Sequence, residues 1–588
     1  MSHADPSSLF EKAQQAFASG YLETARANLL DLIRTAGDHA TVLHLLALVE
    51  KGLGDASAAR RAFKAALALA PNDPQIANNY ANLLNALGEN EQALIEYNKA
   101  VKAKSDFLDA RYNRALLLQK MGRAEEALNE LNQITAPVAK VHSAKGAVLR
   151  DLGRLPEAIK AYDNALAIEP QRVMALHGRA RTAMERGDND ASAYYRRAIA
   201  LNPGLLDLHL GLAEALEMEG QSNAIDGLAA IVRQNPRWPE GQTTLARMRW
   251  EAGEGRAFTR DFERAVSAAP EDVELWLAYA SSLAGADLHG EAADVIARGR
   301  IASACNDERL VLTEAAYRSE VGQLDHAQRL FEVISTQAPG LALELARHFL
   351  RSGSIDRAAA LADDARSADP WSVSAWALTG LAWRLLDDPR HAWLHEQSGL
   401  ISTRHLGLSA QQMASIADLV RGLHKVRSHP IGQSLRSGTQ TRGRLFDRSE
   451  PELHLLREAI LAAVHDYWSA LPPFDPAHPL LRHKGQEPRL DGSWSVRLTD
   501  GGFHVAHVHP RGVVSSACYL SVPEDISPPE GWLEIGAPPA QLNLPMRPIR
   551  TIQPEIGVLA LFPSTVFHGT RPFSAGERMT VAFDVSTS

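Results

Sequence analysis

Apolar residues recur at helical spacing through most of the chain, and the recurrence has a longer beat superimposed on it. Glycines fall at Gly20, Gly54, Gly88 and Gly122, each 34 residues apart, then at Gly153, Gly187, Gly220 and Gly253 at intervals of 31 to 34. An alanine stands five residues after many of them, at Ala25, Ala59, Ala93, Ala127 and Ala158. Prolines keep nearly the same period at Pro170, Pro203, Pro236 and Pro270. The beat blurs between about Ala280 and Glu314 and returns with Gly322, Ala327 and Pro339, then Gly353, Ala358 and Pro370. Each unit predicts two amphipathic helices, such as Asp73 to Leu87 and Asn90 to Lys102, with Gly88 at the turn. Glycine suits the left-handed conformation that closes the first helix, alanine lets the second pack closely, and proline ends the unit.

This period and its glycine, alanine and proline positions resemble the tetratricopeptide repeat. About ten to eleven units are expected, filling residues 1–395 as an all-α solenoid. The resemblance implies a right-handed superhelix whose concave groove takes a protein or peptide partner. A scaffold or a dimerisation arm is the other use of such a stack.

Beyond about His391 the helical period fades. Helical patterns run from Ser409 to Leu423 and from Glu450 to Leu471, and Pro472, Pro473, Pro476 and Pro479 then exclude helix interior. Residues 396–480 read as a helical linker and support. Short strand candidates follow at Ser493 to Leu498, Phe503 to Val508, Val513 to Val522, Trp532 to Ile535, Ile549 to Ile552, Gly557 to Phe562 and Met579 to Val585. Their close spacing, with turn signals such as Asp500-Gly501-Gly502, predicts a sandwich or barrel over residues 481–588.

Composition narrows the function classes. At 588 residues the chain has the length of three or four domains, and 45% apolar with 22% charged residues is ordinary for a folded protein. A net charge of -9 argues against nucleic-acid binding, which leaves a basic footprint. Cys305 and Cys518 are the chain's two cysteines, too few for a disulfide framework or a thiolate zinc site. The N-terminus lacks a basic segment followed by an apolar run, and no stretch approaches a membrane span, so the cytoplasm is the simplest location and no membrane partner is expected.

The chemistry concentrates near the C-terminus. In an extended segment His507 and His509 point to one side and can share a metal, and His568 offers a third imidazole. Non-haem iron oxygenases hold Fe(II) with two histidines and a carboxylate. Here His509 stands where that carboxylate is usual, so either the site has three histidines or His509 lies behind a ligand from elsewhere. His504 would lie on the opposite face of a regular strand. Alternation along Arg578 to Val585 puts Arg578, Thr580, Ala582 and Asp584 on one face, where guanidinium and hydroxyl together suit a carboxylate. Arg578 could equally pair with Glu577 or Asp584. Tyr519 could donate to the same carboxylate or simply fill the barrel.

From about Leu423 to Val585 the chain resembles the 2-oxoglutarate/Fe(II)-dependent oxygenase family that is often fused to tetratricopeptide repeats. The residues that carry the likeness are His429-Pro430-Ile431-Gly432-Gln433-Ser434-Leu435, Trp494-Ser495-Val496-Arg497-Leu498, Gly502-Phe503-His504, His507-Val508-His509-Pro510, Gly531-Trp532-Leu533, Leu561-Phe562-Pro563-Ser564, His568-Gly569-Thr570-Arg571-Pro572-Phe573, Arg578 and Ala582-Phe583-Asp584. The resemblance implies a double-stranded β-helix (jelly roll), Fe(II), 2-oxoglutarate as cosubstrate, O2, and ascorbate as an optional reductant. It implies His507 and His568 as iron ligands, His509 in the place of the usual carboxylate, and Arg578 as the anchor of 2-oxoglutarate. A neutral third ligand leaves more positive charge on iron, which favours an anionic cosubstrate. The expected activity is hydroxylation of a protein or peptide side chain recruited by the solenoid. The rivals are an interaction scaffold with a degenerate barrel, and an oxygenase acting on a small or carrier-bound metabolite.

Overall fold

A computed structural model describes residues 6–304, 307–338, 340–524 and 527–587; Cys305 and Pro339 lie outside them. Two compact units are distinguished, residues 6–183 with 193–204, and residues 184–192 with 205–587. The first contains five helix pairs, from Pro6–Ala18 with Leu22–Ala36 to Ala139–Asp151 with Leu155–Ile168. Six more pairs open the second, from Leu206–Met218 with Ala224–Gln234 to Val373–Leu385 with Arg390–His395, and the pair Val173–Arg186 with Ala191–Leu201 contributes to both.

The described residues thus hold twelve pairs, against the ten to eleven that the glycine period gives. One turn falls inside the blurred stretch, at Asp287, and a second lies beyond the last marker glycine, at Asp387. Asp287 at φ 63° and Asp387 at φ 52° adopt the left-handed conformation that glycine takes in the other turns, for example Gly88 at φ 80°. Aspartate tolerates this region better than most residues, so the pairs Val273–Gly285 with His289–Ala302 and Val373–Leu385 with Arg390–His395 form without the marker glycine. The recurring alanines Ala25, Ala59, Ala93, Ala127 and Ala158 are each fully buried, which explains why a larger residue does not replace them.

The second unit continues with strands β1 (Ser402–His405), β2 (Leu435–Gln440), β3 (Pro488–His504), β4 (Val514–Ser521), β5 (Leu533–Ile535), β6 (Arg550–Ile552), β7 (Val558–Pro563), β8 (His568–Thr570) and β9 (Arg578–Thr587). They form two antiparallel sheets, ordered β1-β7-β4-β9-β3-β2 and β6-β5-β8, in the jelly-roll manner. Strand β9 is central, with Thr580 opposite both Val496 of β3 and Tyr519 of β4. Its Met579, Val581, Phe583 and Val585 enter a core shared with the helices Ala410–Leu423 and Pro451–Ala470. Ser409 caps the first of these through a reciprocal box with Gln412, and Pro451 begins the second.

The stretch 396–480, expected as helical linker and support, also supplies the two edge strands of the large sheet. Strand β2 hides its alternation behind a bulge: Ser437 has φ 52°, and a Cβ on Gly438 would lie 2.5 Å from the Arg497 carbonyl oxygen. The approach to β2 is held by the later repeats. The backbone N–H groups of Arg427 and Ser428 donate to the Glu251 carbonyl, the Trp250 indole donates to the His429 carbonyl at 2.8 Å, and Gly432 N–H donates to the Gly285 carbonyl at 2.9 Å. Arg436 pairs with Asp287 at 2.5 Å, and Arg442 pairs with Glu217 and Glu251. Among the described residues no helix is long and apolar enough to cross a membrane.

Two predictions follow from this packing. A Cβ on Gly285 would lie 2.9 Å from Gly432 N and closer still to the Ile431 side chain. Gly285→Ala should therefore destabilise the second unit by about 1–3 kcal/mol, read as a lower midpoint in denaturant. The second concerns buried histidines. His478 is neutral by geometry, since Nδ1 accepts from Leu480 and Leu481 N–H while Nε2 donates to the Leu394 carbonyl. Burial pushes His478 and His424 down to about 4 and His395 down to about 3. These groups stay neutral in the folded state while the unfolded chain protonates below about 6.5, so their contribution is present above that pH and is lost as pH falls toward 4. On unfolding at pH 5 these groups should together take up about three protons, measured as the slope of stability against pH.

Candidate metal and anion site

Strand β3 ends at His504, short of the Phe503 to Val508 strand expected from the pattern. A Cβ on Gly569 would lie 2.8 Å from the His504 carbonyl and 3.0 Å from Ala506 N, so the chain turns there across a glycine. His507 then meets His568 in an isolated antiparallel bridge, each N–H donating to the other's carbonyl at 3.0 Å. This break changes the expected faces. His504 lines the same cavity as His507 instead of pointing away.

His507, His509 and His568 come together, with one ring nitrogen of each lying within 4.8 Å of the others. Their outer nitrogens are all engaged. Nδ1 of His507 lies 2.9 Å from the Val505 carbonyl, Nδ1 of His568 lies 3.3 Å from the Val566 carbonyl, and Nδ1 of His509 lies 2.5 Å from Asp584 Oδ1. A carbonyl oxygen only accepts, so Nδ1 of His507 and His568 carries the proton and Nε2 offers its lone pair. Nε2 of His507 faces Nε2 of His509 at 3.1 Å. Two lone pairs this close would repel, so either one ring donates N–H to the other or a metal ion lies between them. Burial pushes His507 down to about 3, and it holds His568 and His504 well below their ordinary value, so these rings are neutral near pH 7.

Arg578 is 2% exposed and faces the same cavity, its guanidinium carbon 5.1 Å from the centre of the Tyr519 ring. The two partners that would have made it an ordinary strand arginine are engaged elsewhere: Glu577 with Arg421 and Arg497, Asp584 with His509. Arg578 Nε is buried without a hydrogen-bond partner among the described residues, and the Tyr519 hydroxyl lies close enough to the guanidinium to interact with it. Thr580, also buried, lines the cavity beside them. Burial lowers the Arg578 pKa, but a guanidinium stays charged at neutral pH. A buried cation with unsatisfied donors is costly unless an anion completes it.

The cavity has a volume of about 840 Å³. Both sheets line it, and the repeats add Asp287, His289 and Glu320. Sequence reasoning did not single out Ser434, whose hydroxyl lies 3.0 Å from His504 Nδ1 and 3.2 Å from His507 Nε2. Its signal was only its place in the His429–Leu435 motif. Asp584 was considered as a partner for Arg578, and the structure gives it to His509 instead.

The profile of the family described as "Putative 2OG-Fe(II) oxygenase" matches residues 492–584. Tetratricopeptide-repeat profiles match residues 40–73, 81–122, 112–173, 143–205 and 343–389. Protein FlbA of Caulobacter vibrioides is 27% identical over 164 residues, which is 27% of this chain and 28% of that protein, so the match spans under a third of the relative. Among solved structures, a tetratricopeptide-repeat protein from Parabacteroides merdae is 18% identical with a TM-score of 0.34, covering 45% of this chain and 93% of its own. A tetratricopeptide-repeat protein of Thermus thermophilus is 25% identical with a TM-score of 0.26, covering 30% and 99%.

Ser434→Ala would leave His504 Nδ1 buried without its partner. It should cost about 1–3 kcal/mol of stability, checked by denaturant unfolding of the metal-free protein.

Proposed function

Because the chain joins tetratricopeptide repeats to a 2OG-Fe(II) oxygenase domain, we propose that it is a 2-oxoglutarate- and Fe(II)-dependent oxygenase hydroxylating a protein or peptide side chain that the repeats recruit. The observation that carries the reading is the coincidence in one cavity of three converging histidine nitrogens and a buried arginine whose Nε lacks an acceptor. The donor set fits the group: imidazole suits Fe(II), and three protein ligands leave coordination positions for other molecules.

In this reading His507, His509 and His568 hold the iron through Nε2, while Arg578 binds the distal carboxylate of 2-oxoglutarate with help from Thr580 and Tyr519. Bound iron with 2-oxoglutarate and O2 supplies the oxidising chemistry, in which 2-oxoglutarate is converted to succinate and CO2 as a carbon-hydrogen bond is hydroxylated. Arg578 gives the cosubstrate its orientation, because a buried guanidinium fixes a carboxylate in a plane. Tyr519 and Thr580 fill out the carboxylate's hydrogen bonds. The core of this activity is assigned to residues 481–588, with β1 and β2 supplied by the preceding stretch.

A protein substrate is favoured by the repeats' general use in protein recognition and by the repeat residues in the cavity wall. In an anaerobic preparation loaded with Mn(II), the wild type should bind 2-oxoglutarate by calorimetry. Arg578→Met should weaken that binding on the order of 100-fold, the scale for removing one partner of a buried charged pair. His507→Ala or His568→Ala should abolish metal binding. A wild type that binds neither metal nor 2-oxoglutarate, and yields no succinate with iron, ascorbate and O2, would leave the interaction scaffold as the reading.

A further inference from the structure

We propose that Asp584 is a positioning residue for His509, supplying from behind that ring the negative charge that a carboxylate ligand would have brought to the metal directly. The inference rests on the oxygenase reading above and assigns a part to a residue outside the expected ligand set. His509 occupies the place of the carboxylate in the ligand motif, two residues after His507. Asp584 Oδ1 lies 2.5 Å from His509 Nδ1, with the two side chains only 14% and 11% exposed.

Local structure is fitted to this contact. Asp584 sits on β9 opposite Ser515 of β4, on the same face as Arg578 and Thr580. A Cβ on Gly512 would come 2.8 Å from Asp584 Cβ, so a glycine leaves the space that the carboxylate uses. The bond makes Nδ1 the donor and turns Nε2 toward His507 and His568. It also distinguishes His509 from the other two rings, whose Nδ1 atoms meet neutral carbonyls at Val505 and Val566. A carboxylate on the far nitrogen raises the basicity of the near one and fixes the ring's angle. The site then keeps one negative charge beside the metal, displaced by the width of an imidazole, to set against the cation and against Arg578.

The test uses the full chain and Co(II) as the probe. The wild type should bind Co(II), and Asp584→Asn should bind it roughly 10- to 100-fold more weakly by calorimetry, the usual cost of losing such a partner. The ligand-field bands of the Asn variant should also shift, while His509→Ala should lose the site altogether. Unchanged affinity and spectrum in Asp584→Asn would overturn the proposal, and so would a loss as complete as that in His509→Ala, which would make Asp584 a ligand itself. If the variant does not fold, the wild type still decides. The Co(II) protein should show three exchangeable, paramagnetically shifted imidazole N–H signals, one for each Nδ1, and two would contradict the assigned geometry. Failure of the wild type to bind Co(II) would remove the oxygenase reading as well, whereas binding with an unaffected Asp584 variant would remove this inference alone.

Discussion

The site depends on one reciprocal pair of backbone hydrogen bonds, in which His507 and His568 each donate N–H to the other's carbonyl. This bridge ties the segment after β3 to the start of β8, and so joins the large sheet to the small one where the imidazoles meet. It works because Gly569 has no Cβ: any other residue would press on the His504 carbonyl and the Ala506 amide. With the backbones this close, the two rings lie 4.3 Å apart between centroids, and His509 completes the cluster from two residues further on. The bond from each Nδ1 to an oxygen then does for all three rings what the bridge does for two, aiming the remaining nitrogen inward.

The later repeats contribute to this geometry as structure. Glu251 and Gly285, from two helix pairs, accept backbone hydrogen bonds from residues 427–432, and this run leads into Ser434 and β2. Ser434 in turn touches His504 and His507. A peptide-like stretch of the chain itself is therefore held against these repeats, much as a repeat surface holds a partner. The second unit is consequently one packed body of repeats and barrel, in which Asp287, His289 and Glu320 serve both as repeat residues and as cavity wall.

Much of this was legible in the sequence for physical reasons. The glycine and alanine beat marks left-handed turns and fully buried contacts, which tolerate few other residues. The alternation from Arg578 to Val585 marks a central strand with one face in the core and one in a cavity. Less legible was anything that broke a period. Asp287 and Asp387 do glycine's work in two turns and so erased the beat there. The bulge at Ser437 and Gly438 concealed β2. A regular strand from Phe503 to Val508 puts His504 on the face opposite His507, and that condition fails because the strand ends at His504. The pairing of Asp584 with His509 spans 75 residues, and no local pattern announces a contact of that range.

The most direct test of the central claim is the visible charge-transfer band of the anaerobic protein given Fe(II) and 2-oxoglutarate, since that band requires one metal to hold the cosubstrate through its 2-oxo group and adjacent carboxylate. The account predicts a band that appears only when both are added and is absent in His507→Ala and His568→Ala. Iron and 2-oxoglutarate that bind without producing the band, or a band that survives loss of both histidines, would contradict it.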